Sequence, residues 1–287
     1  MKTTTAQQGW IRIFSLSVLG MSLISILLCT LSFSLTYDDA IGYYPSDALL
    51  PKITAALLVL FALLIVGASF LFRKKIPTLT CSDPVWIRSV SGVVFLGMSG
   101  IAVADIFSAA SPLTILLGFG GAVYFLLRAL GMLRPLPLIL SGVCAVLRLT
   151  LFLAEVYFNG EVPMNAPLKV YLQLGCLAGM LFLVREMKTT FSPSDSPIAA
   201  VALGLGVWLP GVASVPALIS LFSGSFFETE VPHSVYLLLF LWLYAVLRLL
   251  SLPISSHPQK TESPSASIEE DVPPAEEKSA SESQNPS

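Results

Sequence analysis

Apolar runs of roughly 20 residues recur eight times along the chain, divided by short polar or proline-containing segments. As a helix, each run is long enough to cross about 30 Å of hydrocarbon. The runs fall near residues 13–35, 53–72, 88–108, 112–132, 136–157, 168–184, 197–222 and 234–252. This pattern predicts an all-α polytopic transmembrane helix bundle of about eight spans. Ser108 to Ser111 is the whole connection between the third and fourth spans. Pro112 suits the first turn of a helix, where its missing N–H is not needed, so a tight hairpin is expected there. The first span follows Lys2 and Arg12 and ends on the small residues Ser32 and Ser34, as a cleavable signal would. Its apolar stretch exceeds the usual length of about 7 to 15 residues, and a retained anchor is expected.

Past Leu252 the chain changes character. Residues 253–287 hold nine serines and six prolines, with seven acids against Lys260 and Lys278, a net charge of −5. Too little apolar surface remains to offset ordering entropy, so this segment is expected to be a disordered acidic cytoplasmic tail without lasting contacts to the transmembrane domain at 1–252.

Composition agrees with the span pattern. Hydrophobic residues make up 55% of the chain and charged residues 12%, with a mean hydropathy of +0.80, whereas soluble domains spend about a quarter of their residues on charge. Secreted disulfide scaffolds, soluble enzymes and nucleic-acid binders are excluded, and the expected partner is the lipid bilayer. Nothing in the pattern specifies a protein partner or an oligomeric state. Cys29, Cys81, Cys144 and Cys176 show no CxxC pairing, and the two histidines, His233 and His257, lie outside the spans. Neither a metal site nor a cofactor is expected.

The basic residues set the orientation. With the N-terminus inside, thirteen of the sixteen Lys and Arg residues gather on the cytoplasmic side. Lys52 and Lys169 fall on the other, and Arg148 lies within a span. Such asymmetry predicts both termini in the cytoplasm of a cell whose inner membrane holds the protein. The outer loops carry acids, among them Asp38, Asp39, Asp47, Glu161, Glu228 and Glu230. Tyrosines 43, 44, 157, 171 and 236 sit at the expected headgroup level.

Even-numbered spans share an ending, with Arg73, Arg128, Arg185 and Arg248 each closing an apolar helix. Glu161-Val-Pro163 followed by Val170-Tyr-Leu172 resembles Glu230-Val-Pro232 followed by Val235-Tyr-Leu237. Four repeated helical hairpins would account for both; similar composition in outer loops and Leu-rich helices is the plainer account.

Ionisable side chains inside a bilayer are costly and have a reason to be there. Arg148 falls near the midplane of the fifth span, with Glu155 seven residues on and nearly on the same face; Asp105 reaches a similar outer depth in the third span,. Asn165, Lys169 and Gln173 recur every four residues at the start of the sixth helix, a polar stripe,. Asp105, Arg148, Glu155, Lys169 and Gln173 thus form a candidate intramembrane polar network, with Glu155 expected to pair with Lys169 across the outer hairpin. Because helical side chains lean toward their N-terminus, Arg148 is expected to aim into the cytoplasmic half, toward carbonyls or a hydroxyl of a neighbouring helix.

The stretch Val162-Pro-Met164-Asn165-Ala-Pro167-Leu-Lys169-Val-Tyr-Leu172-Gln173 resembles a segment of uncharacterised multi-span membrane proteins of clostridial-type bacteria. The resemblance is local, within residues 155–185. It implies a bacterial inner membrane and carries no activity.

In the seventh span Gly204, Gly206, Pro210, Gly211 and Pro216 interrupt the apolar stretch, which makes Pro210 and Gly211 a candidate helix break of the kind that exposes backbone groups in transporters,. A tolerated proline kink is the simpler alternative. Gly175 and Gly179, like Gly118, Gly120 and Gly121, suit close helix packing,. Gly97-Met-Ser99-Gly100 matches the serine motif of rhomboid-type proteases, but no span holds the histidine that chemistry needs,. Asp105 lacks the glycine context of an aspartyl intramembrane protease. A non-enzymatic membrane protein with a structural, accessory or sensing role is therefore expected. The alternative, a secondary transporter or channel, would require a polar cavity at Arg148.

Overall fold

The computed structural model describes residues 2–37, 43–71, 84–160, 163, 165–191, 197–222 and 234–255. Among them are eight helices: α1 (Lys2–Thr36), α2 (Leu49–Leu71), α3 (Val85–Phe107), α4 (Pro112–Ala129), α5 (Pro135–Phe158), α6 (Pro167–Phe191), α7 (Pro197–Phe222) and α8 (Val235–Ser255). All eight are long and apolar enough to cross a membrane. The chain divides between His257 and Pro258. α8 continues three residues past the boundary expected at Leu252, and the tail beyond Ser255 lies outside the described residues.

Each consecutive pair α1–α2, α3–α4, α5–α6 and α7–α8 packs as a hairpin, but α4–α5 and α6–α7 pack closely too. The centre is α7, which touches α1, α2, α6 and α8. In the most apolar stretch of α7 72% of residues are buried, against 17% in α2, so α7 reads as core and α2 as a lipid-facing helix.

The polar side chains of α1 show how such apolar helices find a register. Ser15, Ser22, Ser25 and Ser32 are spaced by seven, three and seven residues, which places them on one face, and all are buried,. Ser22 donates to the Val207 carbonyl on α7 at 3.3 Å, Trp208 Nε1 donates to Ser25 Oγ at 2.8 Å, and Ser32 shares a 2.9 Å hydrogen bond with Thr54 on α2. Lipid supplies no competing hydrogen bonds, so each bond favours one alignment of the helices.

α7 runs through Pro210 and Pro216 as one helix. The break expected as an alternative at Pro210-Gly211 does not form. Proline at this point removes one backbone bond, while flanking helices hold the segment on both sides. The glycines serve that packing. A methyl group at Gly206 would lie 2.5 Å from Phe182 Cβ on α6, and one at Gly211 would lie 2.4 Å from Trp242 Nε1 on α8. Gly175 and Gly179 similarly admit Ala213 of α7 and Leu241 of α8, each 2.7 Å from where a methyl would stand, which makes this small-residue pair an internal helix contact,.

The short α3–α4 connection forms as expected. Ser111 caps α4 by accepting from the Thr114 N–H at 3.2 Å, and Pro112 opens the helix. Ala110 N–H returns to the Asp105 carbonyl at 2.9 Å around Ala109, which adopts φ +54. After α4, Gly131 takes φ +69 and the Met132 N–H returns to the Leu127 carbonyl at 2.8 Å, a glycine-centred helix stop.

Candidate functional site

Two buried ionic clusters lie toward opposite ends of the bundle. The end at which odd-numbered helices begin is called the basic end below, and the other the far end.

Arg148 occupies the middle of α5 and is 2% exposed. Its Nη2 donates to Asp105 on α3, at 3.1 Å to Oδ2 and 3.4 Å to Oδ1, and to Ser234 Oγ at the start of α8, at 2.8 Å. Asp105 sits two residues before the end of α3 and Ser234 one residue before α8 begins, so both acceptors lie toward the far end. Arg148 therefore reaches away from the basic end, opposite to the direction expected from side-chain lean. The correction has a plain cause, since a buried carboxylate within reach outweighs a preference among rotamers. A hydroxyl on a neighbouring element was expected among the acceptors, and Ser234 provides it. Contact is made through one nitrogen only, and Nε and Nη1 have no hydrogen-bond partner in the protein.

The remaining residues of the expected network stand apart from this pair. Lys169 is 5% exposed at the start of α6, and its Nζ donates to the Asn159 carbonyl at the C-terminal cap of α5, at 2.7 Å. An ammonium there meets the negative end of the α5 dipole. Glu155 lies four residues earlier on α5 with its side chain exposed, Gln173 is half-buried one turn further along α6, and Asn165 is exposed. At the far end the aromatic residues gather. Phe33 lies 5.7 Å from the Tyr44 ring and 6.2 Å from the Tyr171 ring. Burial pushes the Tyr44 hydroxyl above its ordinary range.

Sequence reasoning missed the second cluster. Glu186 on α6 is completely buried, and three arginines from three helices converge on it. Arg128 Nη1 donates to Oε2 at 3.0 Å, Arg248 Nε lies 3.3 Å from both carboxylate oxygens, and Arg185 Nη1 donates to Oε1. Tyr244 Oη stands 3.5 Å from Oε2, and Arg128 also donates to Tyr124 Oη at 2.8 Å. Tyr124, Phe125, Tyr244 and Phe182 continue from it as edge-to-face rings with centroids 5.1, 5.3 and 6.0 Å apart. This apolar wall keeps the ion pairs out of the hydrocarbon.

The three arginines belong to the shared helix endings seen in the sequence, where they counted as loop-side bases. All three are buried, with exposures of 0%, 7% and 3% for Arg128, Arg185 and Arg248. The recurrence of arginine at matching positions was the available signal for a common acceptor. Pairing also explains why α6 extends to Phe191 rather than stopping at residue 184. The charges that end the apolar run are neutralised inside the bundle, so the helix need not stop at them.

Among the described residues no cluster of histidine, cysteine or carboxylate side chains could hold a metal ion. Cys29, Cys144 and Cys176 are free thiols, and Cys81 lies outside the described residues. Comparison with family models, curated proteins and solved structures finds no match.

Proposed function

We propose that this integral membrane protein is non-enzymatic and serves a structural, accessory or sensing role, with both termini on the cytoplasmic side of a bacterial inner membrane. The observation that carries the reading is the state of Arg148. A guanidinium near the middle of a span, 2% exposed and bound to Asp105 and Ser234, joins α5 to α3 and to the start of α8. That is how a packed bundle uses a charge. A solute pathway would instead present the charge to water. Orientation rests on the basic residues. Removing the three buried arginines from the thirteen counted as cytoplasmic leaves ten against two, so the asymmetry survives,.

A second reading, a transporter or channel for a small solute, is favoured by the unpartnered Nε and Nη1 of Arg148. One experiment separates the two. In a variant without native cysteines, Leu149→Cys places a thiol beside Arg148 at the same depth. A packed scaffold keeps it unreactive toward a water-soluble maleimide from either side, and proteoliposomes under an imposed potential leak protons no faster than empty ones. Rapid labelling from one side, or a proton flux removed by Arg148→Leu, would favour the transporter.

A further inference from the structure

The second cluster holds more cationic donors than its carboxylate can accept. Glu186 receives Arg128 Nη1, Arg185 Nη1, Arg248 Nε and Tyr244 Oη. An ionised carboxylate offers about four lone-pair sites, so Glu186 is saturated. Arg185 Nε is nevertheless buried without a hydrogen-bond partner. The side chain that carries it is 6% exposed. Burying an N–H of a charged group without an acceptor is costly.

We propose that the guanidinium cluster of Arg128, Arg185 and Arg248 around Glu186 is a receptor for a phosphate-bearing anion, engaged through the open Nε edge of Arg185. Three features select this chemistry. Guanidinium edges match phosphate oxygens in geometry and charge. Three arginines share one carboxylate, so an added anion is attracted rather than repelled. The cluster also lies within the last two turns of α4, α6 and α8, about 10 Å or less from the basic end at 1.5 Å per residue,. Basic pockets between helices at that depth suit the headgroups of anionic lipids, and a free phosphate offers the same oxygens. The inference is independent of the scaffold reading, because a packed bundle and a transporter could each carry such a receptor.

The test uses the full chain in a phosphate-free, uncharged detergent. Its thermal midpoint is followed while inorganic phosphate, or micelles doped with phosphatidylglycerol, are titrated against a phosphatidylcholine control. A ligand of the folded state raises the midpoint saturably. Response to inorganic phosphate identifies a free anion, and response to phosphatidylglycerol alone identifies a headgroup. In Arg185→Gln the half-saturating concentration is expected to rise by roughly tenfold or more, the loss of one charge-assisted hydrogen bond. Arg88→Gln, which removes an exposed base at the same end, should leave it unchanged. Arg185→Lys, which keeps the charge but loses the guanidinium edge, provides a second folded variant and should respond like Arg185→Gln. The proposal is overturned if neither ligand stabilises the wild type saturably, or if Arg185→Gln and Arg185→Lys respond as the wild type does. It is equally overturned if Asp83→Asn or Asp195→Asn creates the phosphate response, since a loop carboxylate would then be the native counter-charge.

Discussion

Arg148 and Asp105 are 43 residues apart in sequence and meet in the interior of the bundle, Nη2 to Oδ2 at 3.1 Å, with both side chains 2% exposed. Breaking a buried pair by removing one partner leaves the other charge uncompensated, a loss of about 3 to 5 kcal/mol, whereas replacing both with apolar groups approaches neutrality. Asp105→Asn is therefore expected to lower unfolding stability in detergent by about 3 kcal/mol. The double variant Asp105→Leu with Arg148→Met should recover most of it. Equal and additive losses in a double-mutant cycle would show that the two residues act separately.

Glu186 has a larger task, because one carboxylate serves three guanidiniums. Glu186→Gln keeps the shape and removes the only negative charge from these contacts. It is expected to cost at least about 3 kcal/mol, more than Arg185→Gln, which leaves Glu186 with Arg128 and Arg248. Urea unfolding of purified protein orders the two variants. A milder effect for Glu186→Gln than for Arg185→Gln would mean that the carboxylate is not the hub.

The number and order of the helices were legible in the sequence because each span is a long apolar run, and the period of the pattern needs no tertiary information. Ionic partners were less legible. Arg148 and Asp105 stood out as charges within spans, yet which acceptor Arg148 would choose depended on α3 and the start of α8 meeting α5. Glu186 stayed hidden for a different reason. A charge near a helix end looks the same in sequence whether it faces water or three buried arginines, and only packing among α4, α6 and α8 distinguishes them. Hydrophobic windows also shortened α6, since they register charge and not its neutralisation. The serines of α1 carried a readable spacing, but only the structure names the carbonyl, indole and hydroxyl they meet.

Gly206 permits the closest helix approach that a substitution can test cleanly. A methyl there would stand 2.5 Å from Phe182 Cβ, an atom fixed to the α6 backbone, so relief requires the helices to separate. Gly206→Ala is expected to destabilise by about 1 to 3 kcal/mol. Gly100→Ala on α3 meets no atom within 4 Å and should be neutral or stabilising by about 0.5 to 1 kcal/mol through helix propensity. Melting temperatures of the two variants decide it, and a loss confined to Gly100→Ala would contradict the packing.

Orientation can be read chemically. In a background without native cysteines, thiols placed at Asp47, Asn159 and Ser225 are expected to react with an impermeant reagent added to intact cells. Those at Ser194 and Ser265 should react only after permeabilisation. The opposite pattern would invert the protein in the membrane and move the arginine cluster to the outer face.

Lys169 supplies the last prediction. Its ammonium, 5% exposed, donates to the Asn159 carbonyl at the end of α5 and so ties α6 to α5 across their connecting hairpin. Lys169→Met should cost about 1.5 to 3 kcal/mol, the value of a hydrogen bond to a charged group, because the cap carbonyl loses its donor. Glu155 is exposed four residues before Asn159, and the sequence places it level with Lys169. Any pairing adds a smaller amount, about 0.2 to 1 kcal/mol, as for other solvent-exposed ion pairs. Glu155→Gln is accordingly expected to be mild, and its effect should vanish in the Lys169→Met background. A Glu155→Gln effect that persists at full size in that background would assign Glu155 a partner other than Lys169.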